Sequence, residues 1–145
     1  MRALIQRVTE ASVTIAEQET ASIGNGLLIL LGITQLDTDL EVKKLAEKCV
    51  GLRIFEDESE KMNLSLKDIN GEALIVSQFT LYGDCKRGRR PSYTGASSPE
   101  HAIPLYNLFI QSVKDLGIKT KTGEFGAMMD IKLINSGPVT LMLEI

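Results

Sequence analysis

A chain of 145 residues, 43% hydrophobic and 24% charged, is long enough to form one domain with a substantial core, expected to cover residues 1–145. Sixteen basic against nineteen acidic residues give a net charge of −3, which argues against a protein that coats nucleic acid non-specifically but leaves room for a local grip. The longest apolar run, Leu27 to Leu31 between Gly26 and Gly32, is too short to span a membrane, and MRALIQRVTEASV lacks the apolar stretch of a signal peptide; the cytoplasm is therefore the expected compartment.

In chain order, ALIQRVTEASVTI at 3–15 predicts two short strands or one interrupted strand. GLLILLGI at 26–33 is a continuous apolar run between glycines, the pattern of a strand covered on both faces. A helix follows: Thr38 and Glu41 have capping-box spacing, and Val42, Leu45, Ala46 and Cys49 recur at helical intervals. Residues 56–71 are polar and turn-rich, a surface loop with room for one short strand. EALIVSQFTLY at 72–82 predicts a central strand. A second helix begins near Ser97 to Pro99, with Tyr106, Phe109, Ile110 and Val113 on one face and Pro104 early enough to be tolerated. Short strands are expected at 119–122 and around Ile131 and Leu133, before a closing strand over 138–145 whose entrance is a Gly-Pro pair. The sum is a mixed α/β domain of about six to eight strands and two helices, the helices on one side of a curved sheet.

The chain has one histidine, His101, beside Pro99 and Glu100 where the second helix begins, a poor place for a catalytic base. Nothing clusters with the spacing of a metal site, so neither metal nor cofactor is expected. Cys49 reads as a buried free thiol, and the pair Cys49 and Cys85 has no CxxC or disulfide-scaffold spacing. Ser77, Gln78 and Thr80 bring polar groups to the end of the 72–82 strand, where they either cap the sheet or meet a ligand. Lys86, Arg87, Arg89 and Arg90 crowd five positions of a glycine-containing loop, which fits phosphate binding or a solvated charged surface. TGEFGAMMD at 122–130 sets Phe125, Met128 and Met129 among small residues, a core-packing pattern that can also hold a nucleobase.

SQFTL at 77–81 followed by NSGPVT at 135–140, together with MRALIQRV, GLLILLGI, LRIFEDESEKMNLSL, KRGRRPSY and TGEFGAMM, resembles the D-aminoacyl-tRNA deacylase family over essentially the whole chain. Ser136 departs from the pattern, standing where many members carry aspartate. The resemblance implies a single-domain mixed curved or barrel-like sheet carrying two helices, and a homodimer with active sites shared between subunits. It implies an editing hydrolase that releases D-amino acids from the aminoacyl-tRNA acceptor end, with glycyl-tRNA mischarged on tRNA-Ala as a further substrate.

Carried onto this chain, Gly137 and Pro138 form a cis dipeptide that reaches the partner's site as a chirality filter, and Arg7 supports it. The filter would act by exclusion, with the dipeptide's carbonyls filling the volume that an L side chain needs. Ser77, Gln78, Phe79 and Thr80 are the implied catalytic segment. The backbone N–H groups of Phe79 and Thr80 would stabilise the oxyanion, and the substrate's own 2′-hydroxyl would assist the attacking water. Phe125 and Met129 would hold the terminal adenine, and Lys86, Arg87, Arg89 and Arg90 would meet acceptor-stem phosphates. Thr80 as a covalent nucleophile is the competing mechanism. A module that binds nucleic-acid ends without turnover is the competing function. A general small-ester hydrolase is disfavoured because no G-x-S-x-G elbow is present.

Overall fold

Residues 2–15 form one interrupted 14-residue strand, β1 (Arg2–Ile15), the second of the two expected arrangements, and its bulge is the interruption. The computed structural model describes residues 1–145. Ala3 and Ile5 pack toward the helices, whereas Val8, Ala11 and Val13 pack into a second core. The switch of side occurs where Val8 faces Asn135 and Glu10 faces Ile134: an extra residue turns the odd positions onto the other face.

The first half of β1 pairs antiparallel with β3 (Gly26–Gly32), from Arg2↔Gly32 to Val8↔Gly26, and its second half pairs with β2 (Gln18–Ile23). On its other edge β1 pairs along nearly its whole length with β8 (Asp130–Glu144). β3 continues in parallel to β6 (Glu72–Ser77), and β6 in parallel to β7 (Lys119–Thr122). A separate two-stranded piece is made by β4 (Phe55–Glu56) and β5 (Met62–Leu64). The result is a curled mixed sheet with two helices, α1 (Asp39–Gly51) and α2 (Pro99–Asp115), as the pattern implied.

Burial follows the pleat. Leu27, Ile29 and Leu31 of β3, with Ala73 and Ile75 of β6, meet Val42, Leu45, Ala46 and Cys49 of α1 and Ala102, Leu105, Tyr106, Phe109 and Val113 of α2. Leu28, Leu74 and Val76 point the other way, into the inside of the curl with Ala21 and Ile23. The capping box forms as expected: the Leu40 N–H donates to Thr38 Oγ1, and the Thr38 N–H donates to Glu41 at 2.9 Å. The Thr38 hydroxyl also donates to Glu41, at 2.6 Å, and this bond first, with the one from the Thr38 N–H, holds the Glu41 carboxyl below its ordinary range. Pro104 lies inside a continuous α2.

Three expectations need correction. Residues 18–23 form a strand that was not anticipated, because QETASI sends only Ala21 and Ile23 inward and its remaining side chains are polar. The strand expected over 72–82 stops at Ser77 and turns into a 3₁₀ helix over Phe79–Tyr82. The segments expected near 131–133 and 138–145 are one strand, β8, with the Gly-Pro pair inside it. No helix is long and apolar enough to cross a membrane.

Candidate active site

β6 ends because its last ladder contact is the Gln78 N–H donating to the Leu31 carbonyl at 2.7 Å, after which the chain tightens. The 3₁₀ bonds begin with Leu81 N–H to Gln78 O at 3.2 Å and close with Gly83 N–H to Thr80 O at 2.9 Å. The first two amides of the turn, those of Phe79 and Thr80, consequently have no acceptor within it. Gly32 lets the turn sit directly on the end of β3. A Cβ there would lie 3.1 Å from the Tyr82 ring and 3.2 Å from both the Gln78 carbonyl and the Leu81 Cβ. The Gln78 side-chain amide donates to the Thr80 hydroxyl, so the two polar side chains of the turn are joined.

The facing wall is the loop after β7. The Gly123 N–H donates to the Ile75 carbonyl, and the Tyr106 hydroxyl donates to the same oxygen at 2.9 Å. Phe125 packs on Tyr106 with ring centroids 5.8 Å apart. The Met129 thioether folds back to within 2.6 Å of where a Gly123 Cβ would stand, so that glycine keeps its place free. Burial pushes the Tyr106 hydroxyl up to about 12 and keeps it a neutral donor.

Between these walls lies a cleft of about 490 Å³. Ser77, Gln78, Phe79, Thr80, Phe125 and Met129 all line it, so six of the residues singled out in the sequence come together. Its floor is apolar, with Leu31, Val76 and Ala102, and no acid, base, cysteine or histidine is among the residues that line it. His101 lies elsewhere, in a shallow depression with Asp37 and Glu100, its Nε2 3.1 Å from the Asp37 carbonyl oxygen. No group of three or more His, Cys, Asp and Glu side chains is arranged to hold a metal ion.

Arg7, Gly137 and Pro138 do not line this cleft. In β8, Asn135 pairs with Val8 and Thr140 with Gln6, so residues 136–139 arch out opposite the single residue Arg7. The Arg7 side chain is buried; its Nη1 donates to the Ile54 carbonyl at 2.7 Å, its Nε donates to the Ser136 carbonyl at 3.2 Å, and its Nη2 faces Glu56 at 3.5 Å. Arg7 takes Ser136 by its main-chain oxygen, so this anchor does not depend on which side chain stands at 136. Asn135, which the sequence reading overlooked, ties off the arch: its amide donates to the Arg7 and Val139 carbonyls, both at 3.0 Å. Gly137 has φ +110°, a glycine conformation, and the Gly137–Pro138 bond is cis. Both residues are exposed.

The basic loop springs from the end of the 3₁₀ turn. Asp84 and Ser92 bridge its base, and Tyr93 packs edge-on against Phe79 at 5.1 Å. Lys86, Arg87, Arg89 and Arg90 are exposed, outside the cleft, and form no ion pair. Residues 4–144 match the profile of the D-Tyr-tRNA(Tyr) deacylase family. The chain belongs to this family.

Relatives agree over nearly full length. A protein named D-aminoacyl-tRNA deacylase from Desulfatibacillum aliphaticivorans is 58% identical over 99% of both chains. One of the same name from Thermosipho africanus is 56% identical over 99% of this chain and 97% of its own. Among solved structures, one titled c-Myc DNA Unwinding Element Binding Protein superposes with a TM-score of 0.93 at 40% identity, covering 99% of this chain and 98% of that one. A probable eukaryotic D-amino acid tRNA deacylase shares the fold with a TM-score of 0.86 at 17% identity, covering 99% and 98%. The curled sheet with its two helices is thus shared with these solved relatives.

Proposed function

We propose that this deacylase empties D-aminoacyl-tRNAs with backbone amides and the substrate's own 2′-hydroxyl, and that it rejects L esters through Gly137 and Pro138 presented by a second copy of the chain. As a member of the family, the protein is an ester hydrolase acting on D-aminoacyl-tRNA. The observation that carries the finer reading is the make-up of the cleft: two amides without an intrahelical acceptor stand at its head, and no ionisable side chain lines it. A donor aimed at a developing oxyanion contributes ~3–4 kcal/mol to catalysis. Thr80 has no base within the cleft to take its proton, and its hydroxyl accepts from Gln78, which supports a positioning role over a covalent one. Ser77 and Gln78 line the aminoacyl end, and Phe125 and Met129 receive the terminal adenine. The basic loop meets acceptor-stem phosphates.

The filter reading follows from separation within one chain. Gly137 and Pro138 are exposed on an arch that Arg7 and Asn135 hold, away from the cleft of their own subunit. β8 pairs with β1 alone, so its outer edge is free, and Ile134, Leu141 and Met142 lie exposed along it. An edge strand with apolar side chains invites a second strand, and homodimerisation there would carry the arch toward the partner's cleft. Exclusion by carbonyls rejects every L side chain while accepting D residues of any size, whereas a complementary pocket discriminates one methylene by only ~1–3 kcal/mol. It also admits glycine, so glycyl-tRNA mischarged on tRNA-Ala is a substrate in this reading. The site of action is the cytoplasm, where charged tRNA is found.

The deciding experiment follows ester loss from D-tyrosyl-, L-tyrosyl- and glycyl-tRNA with catalytic amounts of protein. Loss of the D and glycyl esters with the L ester intact is the expected result. Loss of all three would leave a hydrolase without a filter. Binding without turnover would make the protein a nucleic-acid-end binding module, the rival function.

A further inference from the structure

We infer that Arg2 is a positioning residue for the reaction, clamping the 3₁₀ turn from its C-terminal end so that the Phe79 and Thr80 amides stay aimed into the cleft. The inference rests on the role proposed above for those amides. Arg2 stands at the start of β1, opposite Gly32 of β3 on one side and Glu144 of β8 on the other. Its Nη1 donates to the Leu81 carbonyl at 3.0 Å, its Nε donates to Glu144 Oε1 at 2.9 Å, and its guanidinium carbon lies 4.6 Å from the centre of the Tyr82 ring. One side chain therefore bonds the turn, stacks on the turn and ties both to the last ladder positions of β8.

The Leu81 carbonyl belongs to the end of the 3₁₀ helix, where main-chain oxygens have no partner within it, and a cationic donor there acts as a cap. A four-residue 3₁₀ turn has little cohesion of its own. What holds it is Gly32 beneath Tyr82 and Leu81, the Gln78 bond to β3 at its start, and Arg2 at its end. The end bond matters for chemistry because amides serving a transition state must be held to within about 0.5 Å. Nothing about the cleft lining reveals Arg2, which lies outside it.

The test compares wild type with Arg2→Met, which keeps an aliphatic stem over Tyr82 but removes the donors, and with Glu144→Gln, which leaves the Leu81 bond. Two readouts are needed: kcat and KM for D-tyrosyl-tRNA, and NMR amide exchange of Leu81 and Gly83, whose N–H groups close the turn. Arg2→Met is expected to lower kcat by about 10-fold to 100-fold at unchanged KM. It should also speed Leu81 and Gly83 exchange at least about 10-fold while the β3 amides stay protected. Glu144→Gln is expected to stay within about twofold of wild type in kcat. Unchanged exchange in the turn overturns the clamp; faster exchange with unchanged kcat overturns its catalytic relevance. So does a kcat loss matched by β3 exchange, because that is general destabilisation. If the wild type fails to hydrolyse the D ester, the proposed function falls, and the exchange data alone decide whether Arg2 holds the turn.

Discussion

Replacing Gly137 with alanine tests the filter at the point where the structure leaves no room. The added Cβ would stand 2.5 Å from Arg7 Nη2 and 3.1 Å from Val139 Cγ2, whereas ordinary contact begins at 3.4 Å, so about 0.9 Å has to be found. The backbone adds its own cost, since φ +110° is a region that L residues rarely adopt, at about 1–3 kcal/mol. Arg7 cannot easily retreat: it would give up charged hydrogen bonds to the Ile54 and Ser136 carbonyls, each worth about 1.5–3 kcal/mol. The exposed arch is the softer partner and should move outward. The expected stability loss is thus about 1–3 kcal/mol, and at ~2–4 °C per kcal/mol the melting temperature falls by roughly 2–12 °C. The displaced arch should open the volume kept from L side chains. Hydrolysis of L-tyrosyl-tRNA is expected to rise at least about 10-fold while the D ester is cleaved within several-fold of wild type. Parallel deacylation assays on the two diastereomeric esters, with a thermal melt on the same sample, decide it. A variant that shows the stability loss yet still refuses the L ester would refute the assignment of the filter to this dipeptide.

Three further outcomes follow from the same geometry. Thr80→Ala should retain hydrolysis within about 10-fold, because its amide remains in place; a loss of several orders of magnitude in single-turnover assays would restore the covalent mechanism. Reversing Lys86, Arg87, Arg89 and Arg90 to glutamate should raise KM for D-tyrosyl-tRNA and flatten its dependence on salt, whereas unchanged KM and salt slope would return the loop to a merely solvated surface. Burial pushes the Cys49 thiol from 9.0 to about 12, so its proton stays on in the folded state while the unfolded chain begins to lose it near pH 9. Unfolding free energy should therefore fall through the interval from pH 9 toward 12, by up to ~1.4 kcal/mol per pH unit from this group, and Cys49→Ala should flatten the first part of that fall in denaturant titrations.

Where one residue type and its spacing sufficed, the sequence could be read. Thr38 and Glu41 announced the start of α1, GLLILLGI announced a strand covered on both faces, which the fold supplies as the helices on one side and the inside of the curl on the other, and Tyr106, Phe109 and Val113 marked the buried side of α2. QETASI failed because a strand that sends two small or branched residues inward carries almost no periodic signal; its place is set by pairing with β1. Residues 78–82 looked like a continuation of the strand because Phe79, Thr80 and Tyr82 favour strands, and the turn there comes from tertiary contact: Gly32 opens the space, Arg2 takes the Leu81 carbonyl, and Gln78 takes the end of β3.

The question raised by a Gly-Pro pair at the entrance of a strand has a similar answer. Read along β8 alone, the pair looks like a boundary, since proline gives no ladder donor and glycine loosens a strand. Across the sheet it is the crest of an arch, made possible because four residues of β8 stand opposite one residue of β1 and because that one residue is an arginine. The guanidinium replaces the missing ladder bonds by holding the Ser136 carbonyl, while Asn135 closes the base of the arch. No reading confined to local sequence could have joined Arg7 to Asn135 and Ser136, more than 120 positions away. The cleft shows the same division: SQFT and TGEFGAMM were visible as polar and soft apolar motifs, but their convergence depends on the parallel pairing of β3, β6 and β7. If catalysis runs on main-chain amides as proposed, few side chains announce the site, and the cleft lining bears only polar and apolar groups without an ionisable one.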